Sequence, residues 1–146
     1  MSADTAELIV KVTMRLLAVT FAVVGILFIA TPDGVIDTLD DLGDRLGDFA
    51  SGPGSDQRLW VALAFAYMTV ITGLAMVISL DVVRYRPLLL VLAAGKAASS
   101  LAAGAYFVFD EDVFAYLLNF IVDGGLVVVA LACWMLAGKV EGHAPG

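Results

Sequence analysis

The chain has 146 residues, 61% hydrophobic and 16% charged, with a mean hydropathy of +0.96. A soluble domain runs nearer half apolar and a quarter charged, and a fold this small leaves much of its surface wet, so the apolar surplus excludes an ordinary water-soluble protein and must face lipid. The formal charge of −7, from 15 acidic and 8 basic residues, disfavours nucleic acid as a partner, because nucleic acid needs a clustered basic face.

Four apolar runs follow one another, at residues 8–30, 59–80, 87–109 and 113–136. Each is about 22 to 24 residues long, enough at ~1.5 Å per residue to cross a hydrocarbon layer of roughly 30 Å. Apolar residues run right round each segment instead of alternating, which argues against a β-barrel. In lipid every backbone polar group must be satisfied within the segment, so the runs are expected to be helices. The fold class is therefore all-α: one integral-membrane domain, a four-helix bundle with up-down-up-down topology.

The first run opens with Lys11 and Arg15 ahead of an apolar stretch, as a signal peptide does. A cut after Ala30 would place Phe28 where a small residue is wanted, with Pro32 just beyond, so the run is read as a span. Lys11 and Arg15 are four apart and share a face near one membrane boundary, where they are candidate contacts for anionic lipid headgroups. Arg15 is also deep enough to point inward.

Between the first two spans, Val35, Leu39, Leu42, Leu46 and Phe49 recur at steps of four and three, with Asp37, Asp40, Asp41, Asp44 and Asp48 mostly on other faces. That spacing predicts an amphipathic helix over residues 35–49 lying on the outer surface. Pro32 and Asp33 suit its start, and Ser51, Gly52, Pro53, Gly54 and Ser55 suit a flexible return to the second span. Its polar face is acidic, so anionic lipid would not hold it. Its leucines either tuck into the interface and cap the bundle, or form a docking site for a partner.

Lys11, Arg15, Arg84, Arg86 and Lys139 fall on one side of the membrane and only Arg45 and Arg58 on the other, beside Asp33, Asp56, Asp110, Glu111, Asp112 and the aspartates of the amphipathic segment. The positive-inside rule then puts both termini in the cytoplasm. Trp60, Tyr67, Tyr85, Tyr106, Tyr116 and Trp134 lie mostly toward span ends, as an interfacial belt requires.

The third span carries two rows of small residues at steps of four, Gly95, Ser99 and Ala103 beside Ala94, Ala98 and Ala102. Smooth faces let helices approach closely, so this helix is expected in the middle of the bundle, with Gly124 and Gly125 of the fourth span as a matching place for close contact. Lys96 and Asp123 lie near the middles of these two spans. A charge there costs at least ~2.5–3.5 kcal/mol, so it should be paired or face a polar cavity. If the hairpin turns around Glu111, the two sit at an axial offset of about 4.5 Å. The expectation is a buried Lys96–Asp123 ion pair, with Ser99, Ser100 and Asn119 as hydrogen-bond partners. Two roles stay open: fixing helix register, or lining a path or site for protons, a small polar solute or a headgroup.

Catalysis has little support. No Gly-rich phosphate loop and no nucleophile with a base at suggestive spacing occurs. Cys133 is a single cysteine and His143 a single histidine, so sites built from several Cys and His ligands are excluded and no cofactor is expected. Cys133 reads as a packing residue.

Arg15, Leu16 and Leu17, then Gly25 and Pro32, with a lysine in the third span and an aspartate in the fourth, make the chain resemble the small four-helix bacterial proteins called DoxX-like. The likeness covers most of the chain. It implies a four-helix bundle in the bacterial inner membrane; a few such proteins are tied to quinone or thiosulfate oxidation. This chain has no Cys or His grouping to support a redox activity, so only the architecture is carried over. The expected function is that of a non-enzymatic accessory or interaction subunit, contacting lipid and either another membrane protein or a second copy of itself. The alternatives are a small transporter or proton-linked carrier using Lys96 and Asp123, and a quinone-interacting oxidoreductase subunit.

Overall fold

The computed structural model describes residues 1–52 and 58–142. Pro53, Gly54 and Ser55 of the expected return, with Asp56 and His143, lie outside the described residues. Within them the chain is all-α, with five helices: α1 (Ala3–Ala30), α2 (Pro32–Leu46), α3 (Arg58–Leu80), α4 (Arg86–Phe109) and α5 (Phe114–Glu141). α1, α3, α4 and α5 are each long and apolar enough to cross a membrane.

Local chemistry moves the helix ends away from the apolar runs. α1 starts five residues early because Ser2 caps it, its hydroxyl accepting the Thr5 N–H at 3.3 Å. Glu7 and Lys11, one turn apart, then pair at 2.5 Å. α5 runs five residues past its apolar stretch and ends in a polar turn holding Lys139 and Glu141. α2 begins at Pro32, an N1 proline, directly after Thr31 closes α1 onto the Leu27 carbonyl at 3.0 Å. It stops at Leu46, three residues short of the expected end. Phe49 is therefore not on the helix: its ring packs on Phe114 at 5.3 Å and Phe107 at 6.5 Å. A parallel bridge from Ala50 to Val113 ties the same segment to the start of α5. Asp40 faces inward as well, its carboxylate accepting the Gly52 N–H at 2.9 and 3.0 Å.

α1 packs along α3 and α4 along α5, α1 and α5 join the two pairs, and α3 touches α4 sparsely. Between α4 and α5 the partners climb one helix as they descend the other: Arg86 meets Trp134, Lys96 meets Asp123, Ser100 meets Phe120 and Tyr106 meets Tyr116. This hairpin is antiparallel. α4 is not central as expected. Of its two small-residue rows only Gly95, Ser99 and Ala103 turn inward, whereas Ala94, Ala98 and Ala102 are exposed.

Each long helix buries one stripe, Val10, Met14, Ala18 and Phe21 on α1 and Ala130, Cys133 and Ala137 on α5 being examples, while Leu8, Leu16, Val19, Leu80, Leu101 and Val128 stand more than 60% exposed. Apolar exposure on that scale, all round the molecule, is untenable in water and natural in acyl chains. Close approach is confined to a few glycines. A Cβ at Gly25 would lie 2.9 Å from Met68 Cβ, and one at Gly104 would lie 2.8 Å from the Phe120 ring. Gly124 sits close to Ser100, whereas Gly125 has nothing within 4 Å.

Candidate functional site

Two ionisable side chains lie deep in the bundle. Lys96 Nζ donates to Asp123 Oδ1 at 2.9 Å, with the side chains 5% and 6% exposed. Taking two charges out of water costs several kcal/mol per ion, and only direct contact with further favourable groups offsets it. Here the further groups are aromatic faces. The ammonium lies 4.8 Å from the Phe21 ring centroid and 5.4 Å from that of Tyr67, within the range in which a ring quadrupole attracts a cation. The pair thus draws on all four long helices: Phe21 from α1, Tyr67 from α3, Lys96 from α4 and Asp123 from α5.

Ser99, Ser100 and Asn119 do not hydrogen-bond to the pair, contrary to expectation. The Ser100 hydroxyl donates to the Phe120 backbone carbonyl at 2.8 Å. Asn119 Nδ2 donates to Ser99 Oγ at 3.2 Å, on a level nearer the α4–α5 turn. Tyr67 Oη is buried without a hydrogen-bond partner. It lies beside Gly95, whose added Cβ would sit 3.5 Å away.

Phe21 and Tyr67 are the members of the site that sequence reasoning missed. Tyr67 belongs to the bundle interior and not to an interfacial belt. Trp134, half-buried toward the end of α5, carries Arg86 on its ring at 4.4 Å, and the same guanidinium donates from Nε to the Trp134 carbonyl at 3.2 Å and pairs with Glu141 at 2.5 Å. Nothing in the all-round apolar run of α1 singles out Phe21 beforehand. Phe21 follows Val10, Met14 and Ala18 on the buried stripe of α1.

The other candidates lie apart. Lys11 is held by Glu7, and Arg15 is exposed on α1 and does not turn inward. Cys133 is 3% exposed in the core cluster. Below the pair, toward the α3–α4 connection, the inner stripes of α4 and α5 carry Leu92, Leu89, Leu126, Ala130, Cys133 and Ala137, all apolar and packed into that region. An apolar groove of about 200 Å³ lies between α1 and α3, lined by Phe21, Gly25, Phe65 and Met68 among others. Comparison with protein-family models, curated proteins and solved structures finds no match for this chain.

Proposed function

We propose that the chain is a non-enzymatic four-span protein of a bacterial inner membrane, built up-down-up-down in the DoxX-like manner with both termini cytoplasmic, and that it serves as an accessory or interaction subunit. The observation that carries this reading is the state of the Lys96–Asp123 pair: in direct contact, almost fully buried and capped by two rings. Such a pair fixes rotation and register between helices. A carrier would need polar groups on both sides of it, and toward the α3–α4 connection the packed stripes of α4 and α5 are apolar, while the buried Ser79 of α3 spends its hydroxyl on the Met76 carbonyl of its own helix.

The partner surface in this proposal is α2, an amphipathic helix on the outer face. Leu42 and Leu46 are 42% and 66% exposed, alongside exposed Asp37, Asp41 and Asp44. An apolar ridge flanked by acids suits a protein partner with a complementary basic rim better than anionic lipid. The test is mild detergent extraction with a photo-crosslinker at Leu46. One stoichiometric polypeptide should copurify and crosslink, and Leu42→Asp with Leu46→Asp should abolish both. A solitary monomer that crosslinks only to lipid overturns the reading. Reporter fusions at residue 142 and at Asp112 should report opposite sides of the membrane, residue 142 on the cytoplasmic one.

A further inference from the structure

Among the described residues the Arg15 side chain makes no ion pair, hydrogen bond or ring contact, and it stands exposed seven residues beyond Leu8, where the first apolar run starts. At ~1.5 Å per residue that is about 10 Å into the run. Lys11, one turn nearer the boundary, has its charge met by Glu7 at 2.5 Å, so the uncompensated charge on this part of α1 is that of Arg15. A guanidinium is always charged, and a bare cation at this depth is expensive. The Cα–Cβ bond of a helical residue leans toward the helix N-terminus, which for Arg15 is the direction of the near membrane boundary. The side chain therefore reaches back toward the headgroup layer and meets there an anion that the protein does not supply.

The same side of α1 leads to the apolar groove. Arg15, Ala18, Ala22 and Gly25 follow one another at steps of three and four, which is one side of a helix, and Ala22 and Gly25 belong to the α1 wall of the groove, with Phe65, Met68, Thr69 and Thr72 on the α3 wall. From Arg15 to residues 22–26 is about 10 to 16 Å along the axis, and half a hydrocarbon layer is about 15 Å deep. A molecule anchored at Arg15 and lying along the seam thus ends in the groove. An apolar cavity of about 150 Å³ takes up benzene, so one of about 200 Å³ has room for about eight carbons. Its walls offer no free hydroxyl, because Thr69 and Thr72 donate to the Phe65 and Met68 carbonyls of their own helix at 2.9 and 2.7 Å. The space suits hydrocarbon.

We infer that the seam between α1 and α3 holds one anionic phospholipid of the leaflet in which the termini lie, its phosphate on Arg15 and the end of one acyl chain in the groove beside Ala22 and Phe65. An unmet cation and an apolar groove fall on one line, a leaflet's depth apart. Arginine grips phosphate through two parallel N–H donors. The single uncompensated positive charge selects a headgroup of net negative charge over a zwitterion, whose own ammonium offsets its phosphate. The inference rests on the membrane placement of these helices and is independent of any partner on α2.

Native mass spectrometry in a neutral detergent, with palmitoyl-oleoyl phosphatidylglycerol or phosphatidylcholine titrated in, reads the occupancy. The parent should retain one phosphatidylglycerol per monomer and bind it at least tenfold more tightly than phosphatidylcholine of the same chains. Arg15→Gln should bring the two lipids within about twofold of each other, whereas Arg58→Gln, at the opposite end of the seam, should leave the preference intact. Ala22→Phe puts a ring into the groove and should weaken phosphatidylglycerol at least fivefold with Arg15 in place; Thr69→Phe serves if that variant is not monodisperse. Dihexanoyl phosphatidylglycerol, whose chains are too short to reach the groove, should bind the parent at least tenfold more weakly than the long-chain lipid, and filling the groove should erase most of that gap. Equal retention of the two headgroups, or a preference that survives Arg15→Gln or is lost in Arg58→Gln, removes the guanidinium as the anchor. A long-chain advantage indifferent to the filled groove removes the groove. A monodisperse dimer that carries no lipid means that a second copy fills the seam. Any of these results overturns the inference.

Discussion

Removing one member of the Lys96–Asp123 pair is the most direct test of what holds the four spans in register. Lys96→Met leaves a carboxylate 6% exposed with no cation, and Asp123→Leu leaves an ammonium 5% exposed with only two rings for company. Breaking a buried pair on one side costs about 3–5 kcal/mol, or two to three and a half decades in the folding equilibrium at about 1.4 kcal/mol per decade. Replacing both partners by apolar groups of similar volume is commonly neutral or stabilising by about 1–4 kcal/mol. The double variant should therefore be at least as stable as the parent. Independent losses would sum to about 6–10 kcal/mol, so the coupling energy should exceed about 5 kcal/mol. The assay is unfolding in mixed micelles by added sodium dodecyl sulfate, followed by tryptophan fluorescence for all four proteins of the cycle. Single variants within about 1 kcal/mol of the parent, or a double variant as unstable as the sum of the singles, would refute the idea that the pair is dry and direct.

The glycines offer a matched contrast. Gly25→Ala forces a Cβ to 2.9 Å from Met68 Cβ and should cost about 1–3 kcal/mol by overpacking, whereas Gly73→Ala meets nothing within 4 Å and should stabilise the helix by about 0.5–1 kcal/mol; thermal melts in one detergent compare them. At the other end of the hairpin, Arg86→Ala removes the bond to the Trp134 carbonyl and the ring stacking as well as the Glu141 pair. It should lower stability by about 2 kcal/mol. Glu141 is 55% exposed, so Glu141→Ala should change stability by less than about 1 kcal/mol, and equal effects in the same melts would show that the ion pair alone matters.

Register along one hairpin is legible in a sequence because the helical rise is fixed. Placing the turn near Glu111 brings Lys96 to within about 4.5 Å of Asp123 along the axis, a gap the lysine stem spans, and the pair forms at 2.9 Å. Rotation between hairpins is another matter. Phe21 and Phe28 are equivalent in an all-round apolar run, and only the packing of α1 on α3 and α5 turns the first toward Lys96. The amphipathic segment misled for a related reason. Phe49 keeps the period of Val35, Leu39 and Leu42, yet the chain leaves the helix at Gly47, where an added Cβ would lie 2.9 Å from the Phe49 ring. A ring folded back across a glycine satisfies the same spacing as a ring on the next turn. Ser99, Ser100 and Asn119 were grouped with the pair by proximity, but the Ser100 hydroxyl bonds to the Phe120 carbonyl and Ser99 accepts from Asn119.

The aromatic contacts around Lys96 bear on why an ion pair stands here at all. Lipid tails are as apolar as leucine, so burial alone does not favour one helix rotation over another, and directed contacts must choose. A bare pair fixes α4 against α5 only. An ammonium also held against Phe21 and Tyr67 fixes α1 and α3 against both, provided that the cation is rooted on α4. The exchange Lys96→Asp with Asp123→Lys separates the two effects, since it keeps the attraction and the charge count while moving the stem of the cation to the other helix. Two ring contacts at about 0.5–1 kcal/mol each, rising when desolvated, predict a swapped protein about 1–2 kcal/mol less stable than the parent and well above either single variant. Parent-like stability would mean that the rings merely fill space. A protein as unstable as the single variants would mean that the exchanged side chains do not meet, and that the contact depends on each being where the native helices put it.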